Sequence, residues 1–302
     1  MVDFAPFFIH QIQNKKMKLE TAKRQQVKIK VGLQGCAGSG KSYSALLMAY
    51  GLVGNWNKIA VIDTENAAHL YSHLGNYQVL KLTAPHSPER FIEAINTCVD
   101  AGIEAVITDS LSMEWDYIID AHSQLSGNSY TNWAKFTPRH QRLIQAILQA
   151  DVHIICNLRS KQDYVLNQKN GKSVPEKVGM KPIQREGVDY ELTLVLELDI
   201  KHNAVASKDR TGLFMGKPEF TITTGTGKAI LDWCNEGDEP VALEIDYNAL
   251  IQHCGTVEAL RTLYLESTDE IQSEYRNEFN QRKYQLQVPN LTQRQNGTTN
   301  SK

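Results

Sequence analysis

The chain of 302 residues has 41% hydrophobic and 22% charged side chains and a formal net charge of −2. This composition is typical of a soluble globular protein with a sizeable core, and the near-zero charge excludes a surface that is basic throughout. The five cysteines are scattered without a CxxC spacing, which argues against a disulfide framework or a zinc site and favours a reducing cytoplasm. No apolar run approaches the ~20 residues of a membrane span.

The first half of the chain alternates strand and helix patterns. Residues 1–26 lack the order of a signal peptide and are predicted as an N-terminal arm. Buried strands are predicted at VKIKVGLQ (27–34), KIAVID (58–63), AVITD (105–109) and VHIICNL (152–158). A further short strand is predicted near 77–82, and helices are predicted over 42–52, 87–101 and 138–150. This alternation predicts an α/β fold whose mostly parallel sheet is covered by helices on both faces.

The pattern changes after residue 159. Residues 160–186 are polar and contain two prolines, which predicts a long loop. Strand patterns return at 190–200, 203–208 and 219–223, and a short helix is predicted over 228–234. The segment GDEP marks a boundary between a core domain over 27–237, a small helical appendage over 241–285 and a polar, disordered tail over 286–302.

A phosphate-binding motif follows the first buried strand directly. The sequence matches G-x-x-x-x-G-K-[ST] at every fixed position, and the strand–loop–helix context argues against a chance glycine turn. Glycines allow backbone N–H groups to surround phosphate oxygens, while Lys41 can reach the β- and γ-phosphates and Ser42 can bind Mg²⁺. The predicted ATP-binding residues are Gly35, Cys36, Ala37, Gly38, Ser39, Gly40, Lys41 and Ser42.

Two carboxylates complete a predicted hydrolytic site. Asp109 closes the apolar run AVITD and is predicted to hold magnesium together with Ser42, although a solvent-facing turn aspartate is the simpler alternative. Glu65 follows the strand KIAVID and is the candidate for orienting the attacking water. On local sequence alone, a surface glutamate in a turn explains Glu65 equally well.

Four segments resemble, in the same order, segments of RecA-like P-loop ATPases. They are VIDTENAAHLYSHLG (61–75), AVITDSLS (105–112), IICNLRSK (154–161) and SKDRTG (207–212). The run from about residue 22 to 237 is similar to the short RecA-like ATPases of phages and mobile elements. It has no recognisable N-terminal polymerisation domain, and the C-terminal appendage matches nothing in that group.

The resemblance implies a RecA-like core that converts ATP and water to ADP and phosphate. It assigns catalysis to Glu65 together with Lys41, a γ-phosphate sensor to Asn157, and a K-x-R motif to Lys208 and Arg210. In this group the two cations reach the γ-phosphate of a neighbouring subunit, which implies a homo-oligomer, as a ring or a filament, with active sites at subunit interfaces. The group is associated with single-strand annealing and recombination in bacterial or phage-infected cells, often alongside single-strand binding proteins. The alternative for Lys208 and Arg210 is a solvated strand end.

A DNA-binding loop is predicted at residues 160–186. In RecA-like proteins the segment after the sensor strand contacts DNA, and this one carries six basic and three acidic side chains. Glycine-containing basic loops suit a phosphate backbone, although a disordered hydrophilic loop explains the composition as well. The predicted contacts to single-stranded DNA are Lys161, Tyr164, Lys169, Lys172, Lys177, Lys181 and Arg185.

A second aromatic and basic stretch lies nearby. It consists of Tyr130, Trp133, Lys135, Phe136, Arg139 and Arg142. It could form another DNA-facing surface, but the helical spacing of Trp133 and Phe136 favours packing in the core.

The sequence leaves two functions open. The first is an ATPase stimulated by single-stranded DNA that supports recombination or annealing. The second is a nucleotide-switched module that loads or regulates a replication partner such as a helicase, with the helical segment 241–285 as its docking surface. Fold class does not decide between the two.

Overall fold

The structure, a computed structural model, describes Leu19 and residues 21–169, 172–239 and 246–287. For 162–169, 172–181 and Glu266 it describes the backbone alone. Two compact units are present, of which Arg24–Pro240 is the larger. Within the described ranges, no helix has both the length and the apolar character needed to cross a membrane.

The larger unit is built on a nine-stranded sheet. Its strands are β1 Lys30–Gly35, β2 Ile59–Asp63, β3 Gln78–Lys81, β4 Ala105–Asp109, β5 His153–Lys169, β6 Lys172–Pro182, β7 Leu194–Leu198, β8 Asn203–Asp209 and β9 Phe220–Thr221. The order is β3-β2-β4-β5-β1-β7-β8-β9, and β6 pairs with β5. The first six strands in this order are parallel, whereas β8 and β9 are antiparallel to their neighbours.

Helices cover both faces of this sheet. They are α1 Lys41–Val53, α2 Pro88–Asp100, α3 Ser112–Ser123, α4 Ser129–Gln149, α5 Val188–Glu191 and α6 Thr224–Cys234, with 3₁₀ helices at Trp56–Lys58 and Ala68–Leu74. One apolar core joins α1 and α6 to Leu33 and Ile107, and the other joins α2 and α4 to Ile62 and Val106. The predicted α/β architecture is therefore confirmed.

Burial on both faces explains the composition of the central strands. All residues of β1, β2 and β4 are buried, as expected for parallel strands between two helical layers. Both β2 and β4 remain apolar almost to their last residue, which is aspartate in each case, Asp63 and Asp109. Because parallel strands end at the same edge of a sheet, the polar residues that follow them are brought together there.

The prediction of a long loop over residues 160–186 is wrong. Strand β5 continues to Lys169 and pairs with β6 as an antiparallel hairpin, with an irregularity at Asp163/Tyr164. A two-stranded ribbon pairs its inward backbone groups internally and leaves the outward ones to water, so it needs no apolar face that the sequence would reveal. Prolines and glycines in the segment therefore did not mark an irregular chain.

Two predicted boundaries also move. Helix α4 begins at Ser129 rather than at 138, and Pro138 lies inside it. Its buried stripe, which includes Phe136 and Leu143, continues through the proline, so packing maintains the helix where propensity would end it. Strand β7 begins at Leu194 instead of residue 190, because the short helix α5 precedes it.

The C-terminal part of the smaller unit is helical over the residues that the structure describes, as predicted. The helices are α7 Tyr247–His253, α8 Val257–Glu266, α9 Asp269–Glu274 and α10 Arg276–Gln287. Side chains of Asp246, Thr256 and Thr268 accept N–H hydrogen bonds at the starts of α7, α8 and α9. A small core of Ile251, Cys254, Leu260 and Phe279 holds the unit together.

The helix that follows the phosphate loop, α1, packs closely on α6 through two glycines. A Cβ atom on Gly227 would meet the carbonyl of Met48 and lie 2.8 Å from the Cα of Gly51. We expect Gly227→Ala to lower the free energy of unfolding by about 1–3 kcal/mol, despite the better helix propensity of alanine. Urea unfolding measures this change. Gly225→Ala in the same helix is the matched control, because its Cβ would meet only Thr223 Oγ1, at 3.3 Å; equal stability of the two variants would contradict the prediction.

Candidate active site

The loop between β1 and α1 has the geometry of a phosphate cradle. Gly38 and Gly40 have φ of 80° and 84°, in the left-handed region that favours glycine. A Cβ on Gly35 would meet Ser39 Oγ and lie 2.9 Å from the carbonyl oxygen of Leu198. Helix α1 begins at Lys41, so its first backbone N–H groups and the positive end of its dipole face the loop.

The ammonium group of Lys41 is folded over this loop. Its Nζ donates to the carbonyl oxygens of Gly35 at 2.9 Å and Cys36 at 2.8 Å. Burial lowers the pKa of Lys41, while the nearby carboxylates of Asp109 and Glu65 act in the opposite direction. The cation therefore lies among the residues predicted to bind phosphate and magnesium.

Asp109 lies beside Ser42 at the end of β4. Its side chain is buried, and burial raises its pKa, whereas the neighbouring polar side chains of Ser42 and Asn157 lower it. The structure thus brings together the hydroxyl and the carboxylate predicted to hold magnesium. A hydroxyl and a carboxylate oxygen are ligands that suit this hard cation.

Several buried polar atoms at this edge lack a protein partner. Within the described residues, no hydrogen bond of normal geometry is made by Ser39 Oγ, Ser110 Oγ or either amide atom of Asn157, and all three residues are 0% exposed. Leaving such a group unsatisfied costs about 1–3 kcal/mol. The cluster therefore fits a polar ligand such as a magnesium-bound triphosphate.

The residues around Glu65 are held by a network that joins β2 to β4. The carboxylate of Asp63 accepts the N–H groups of Glu65 at 3.0 Å and Ala68 at 2.9 Å. Thr64 donates through Oγ1 to the carbonyl of Asp109 at 3.0 Å and accepts the N–H of Ser110 at 2.9 Å. Sequence reasoning assigned Thr64 no role, because a threonine after a strand carries no signal of its own.

Glu65 itself is paired with a residue that sequence reasoning missed. Its Oε1 accepts from Arg159 Nε at 3.0 Å and from Nη2 at 2.8 Å. Arg159 lies on β5 two residues after Asn157, and the β1–β5 register places it opposite Gly35. The short spacing from Asn157 could have indicated this residue, because it puts Arg159 at the level of the phosphate loop.

A second missed residue is His202, in the turn between β7 and β8. A Cβ on Gly40 would lie 2.8 Å from His202 Nδ1, so the imidazole packs against the phosphate loop. His202 has a φ of 67°, and its N–H donates to the carbonyl of Asp199 at 3.1 Å. Nothing in the spacing of the histidines predicts this contact.

Lys208 and Arg210 lie away from the phosphate loop of their own chain. Strand β8 runs antiparallel to β7 and places Lys208 opposite Val195, three residues before the end of β7 and about 10 Å along the strand. Lys208 Nζ donates to the carbonyls of Asp189, at 3.0 Å, and Tyr190, and Arg210 donates to Tyr190 at 3.1 Å. Both cations therefore lie towards the opposite edge of the sheet from Gly35.

The predicted DNA contacts fall on the hairpin and its base. Lys161 is exposed on β5, and Arg185 is half-buried after β6. The register places Lys161 opposite Lys181. It also places Tyr164 opposite Lys177 and Lys169 opposite Lys172. Of these residues, Tyr164, Lys169, Lys172, Lys177 and Lys181 have side chains outside the described part of the structure.

Two aromatic residues of the second stretch, Trp133 and Phe136, pack against other side chains, whereas Tyr130, Lys135 and Arg142 are exposed. Trp133 stacks on His122, with ring centroids 4.1 Å apart, and on Trp115 at 5.6 Å. Phe136 is buried, and Arg139 pairs with Glu89 at 2.7 Å. The interpretation of Trp133 and Phe136 as packing residues agrees with this arrangement.

Replacing Asp109 tests the magnesium assignment. We expect Mg²⁺ to strengthen ATP binding about tenfold in the wild type and to leave Asp109→Asn almost unaffected, because the charged ligand is lost. Without Mg²⁺ the variant should bind ATP at least as tightly as the wild type, since a carboxylate repels the triphosphate. Titration with a fluorescent ATP analogue measures both values, with the exposed Asp120→Asn as control. An unchanged magnesium effect in Asp109→Asn would contradict the assignment.

Comparison with known families agrees with this geometry. A family model described as an AAA domain matches residues 27–228, about two thirds of the chain. The matched range includes the phosphate loop, the ends of β2, β4 and β5, and the Lys208/Arg210 pair. No curated protein matches the chain. The chain therefore belongs to the AAA domain family of P-loop ATPases.

Proposed function

We propose that this protein binds and hydrolyses ATP with Mg²⁺ and couples the nucleotide to single-stranded DNA, in support of recombination or annealing. One observation carries the proposal. Strand β5 bears Asn157 and Arg159 at the nucleotide edge and continues, past the irregularity at Asp163/Tyr164, into the basic hairpin with β6. One strand therefore joins the phosphate site to the hairpin.

The reaction follows from the residues at this edge. Backbone N–H groups of the loop and the ammonium of Lys41 bind the phosphates, and Ser42 and Asp109 hold Mg²⁺. Mg²⁺ held by Ser42 and Asp109 would supply positive charge against the negative charge that develops on the phosphates. Glu65 orients the attacking water, and the amide of Asn157 donates to the γ-phosphate. Positioning and charge stabilisation, rather than covalent chemistry, supply the acceleration.

The hairpin supplies the DNA contacts in this proposal. The register pairs lysine with lysine at two levels, Lys161 with Lys181 and Lys169 with Lys172. Like charges directly opposite each other destabilise a two-stranded ribbon. A phosphate backbone would relieve this repulsion without regard to base sequence, which suits a protein that binds any single strand.

Lys208 and Arg210 complete the site of a neighbouring subunit in this proposal. Their position towards the opposite edge from Gly35 is what a head-to-tail oligomer requires, because each subunit would then present its cations to the nucleotide of the next. A cation supplied in trans contributes ~10³–10⁵ in rate in related phosphoryl-transfer sites. Hydrolysis would consequently depend on assembly.

A nucleotide-switched module is the second candidate. The ion pair between Glu65 and Arg159 favours it, because a carboxylate engaged by an arginine is not free to orient water. In this alternative ATP binding is the signal, and the helical unit over 246–287 docks a replication partner. The rate of hydrolysis and its response to DNA separate the two candidates.

The first experiment measures ATP hydrolysis with and without single-stranded DNA over a range of salt concentrations. We expect DNA to raise the rate and salt to reduce the stimulation, because phosphate contacts weaken steeply as salt rises. Lys41→Ala should abolish hydrolysis, while Lys58→Ala, at the end of the 3₁₀ helix before β2, should not. A slow rate that is indifferent to DNA would favour the nucleotide-switched module.

A mixing experiment tests the trans role of Lys208 and Arg210. We expect Lys41→Ala and the double variant Lys208→Ala/Arg210→Ala to be inactive alone. Co-expressed in equal amounts, they should recover about a quarter of the wild-type rate, since one site in four combines an intact loop with an intact neighbour. Absence of recovery in an assembled mixture would show that the two cations do not act across the interface.

A further inference from the structure

The ion pair between Glu65 and Arg159 is the starting observation. Both short contacts, at 3.0 and 2.8 Å, converge on a single carboxylate oxygen, Oε1. The two side chains are 37% and 40% exposed respectively. Exposed pairs of this kind contribute little to stability, so an anion of higher charge can displace the carboxylate from the guanidinium.

The position of Arg159 puts it within reach of such an anion. It is the last residue of β5 that pairs with β1, opposite Gly35, and its backbone N–H donates to Ser112 Oγ at 3.0 Å. Burial raises the pKa of Asp116 on α3, and the charge of Arg159 acts in the opposite direction.

We propose that Arg159 is a cation that the chain supplies to its own γ-phosphate, and that ATP binding transfers its guanidinium from Glu65 to that phosphate. The inference rests on the proposed function, because it concerns the same nucleotide site. Guanidinium groups match phosphate oxygens in a two-pronged geometry, and the γ-phosphate carries more charge than one carboxylate. The transfer frees Glu65 to orient water. ADP lacks the γ-phosphate and leaves the ion pair intact.

Arg159 is thereby a positioning residue for Glu65 as well as a ligand for phosphate. Hydrolysis begins from a state in which the triphosphate itself has released the carboxylate. Without ATP the carboxylate is held by Arg159, so its negative charge is neutralised beside the phosphate loop. This accounts for a catalytic glutamate that is paired although it lies at the active-site edge.

Nucleotide binding, rather than hydrolysis, tests the proposal. The dissociation constants of a non-hydrolysable ATP analogue and of ADP are measured by calorimetry for the wild type, Arg159→Ala and Arg159→Lys. We expect Arg159→Ala to weaken binding of the ATP analogue about tenfold and to change ADP binding less than twofold. Arg159→Lys should give an intermediate dissociation constant for the ATP analogue, because lysine keeps the charge but cannot form the two-pronged contact of a guanidinium group. Arg139→Ala, which breaks the comparable pair with Glu89 away from the loop, should change neither value.

The same substitution in a Glu65→Gln background tests the transfer itself. There Arg159 has no carboxylate partner at position 65, so Arg159→Ala should cause a larger loss of ATP affinity than in the wild type. Equal weakening of ATP and ADP, no weakening of ATP, or equal losses in the two backgrounds would overturn the proposal. If the wild type binds both nucleotides and Arg159→Ala binds the ATP analogue equally well, this inference alone is contradicted. Failure of the wild type to bind either nucleotide contradicts the proposed function as well.

Discussion

Burial of a parallel sheet on both faces is the constraint on which the rest of this structure depends. Between two helical layers, β1, β2 and β4 have no solvent-facing side, so their polar chemistry is displaced to the strand ends. Because these strands end at one edge, the loop that leads to Lys41 meets Asp109 and Asn157 from distant parts of the chain. The position of the site is therefore a consequence of burying the sheet between two helical layers.

The two most buried charged groups at that edge, Lys41 and Asp109, are both affected by desolvation. Burial lowers the pKa of Lys41 and raises that of Asp109, so desolvation opposes the charged form of both groups. A magnesium-bound triphosphate offers a negative partner to the first and a positive partner to the second. Glu65 and Arg159, which are more exposed, form an ion pair with each other.

Strand β5 connects the central sheet to the hairpin. Its first half lies in the central sheet between β1 and β4, and its second half forms the hairpin with β6. Asn157 and Arg159 lie at the transition. By contrast, Lys208 and Arg210 are displaced towards the other edge by the antiparallel turn into β8. Lys208 and Arg210 therefore lie at a different edge of the sheet from the phosphate loop.

The amino-acid sequence by itself determined the α/β class, the phosphate loop and the strand-end position of Asp109, because these depend on residue type and spacing over a few positions. It did not predict the hairpin, since internally paired ribbons need no apolar pattern. Only the tertiary structure decided that Glu65 meets Arg159, 94 residues away, and that Lys208 lies far from its own loop. Strand order and direction set these contacts, and no local pattern encodes them.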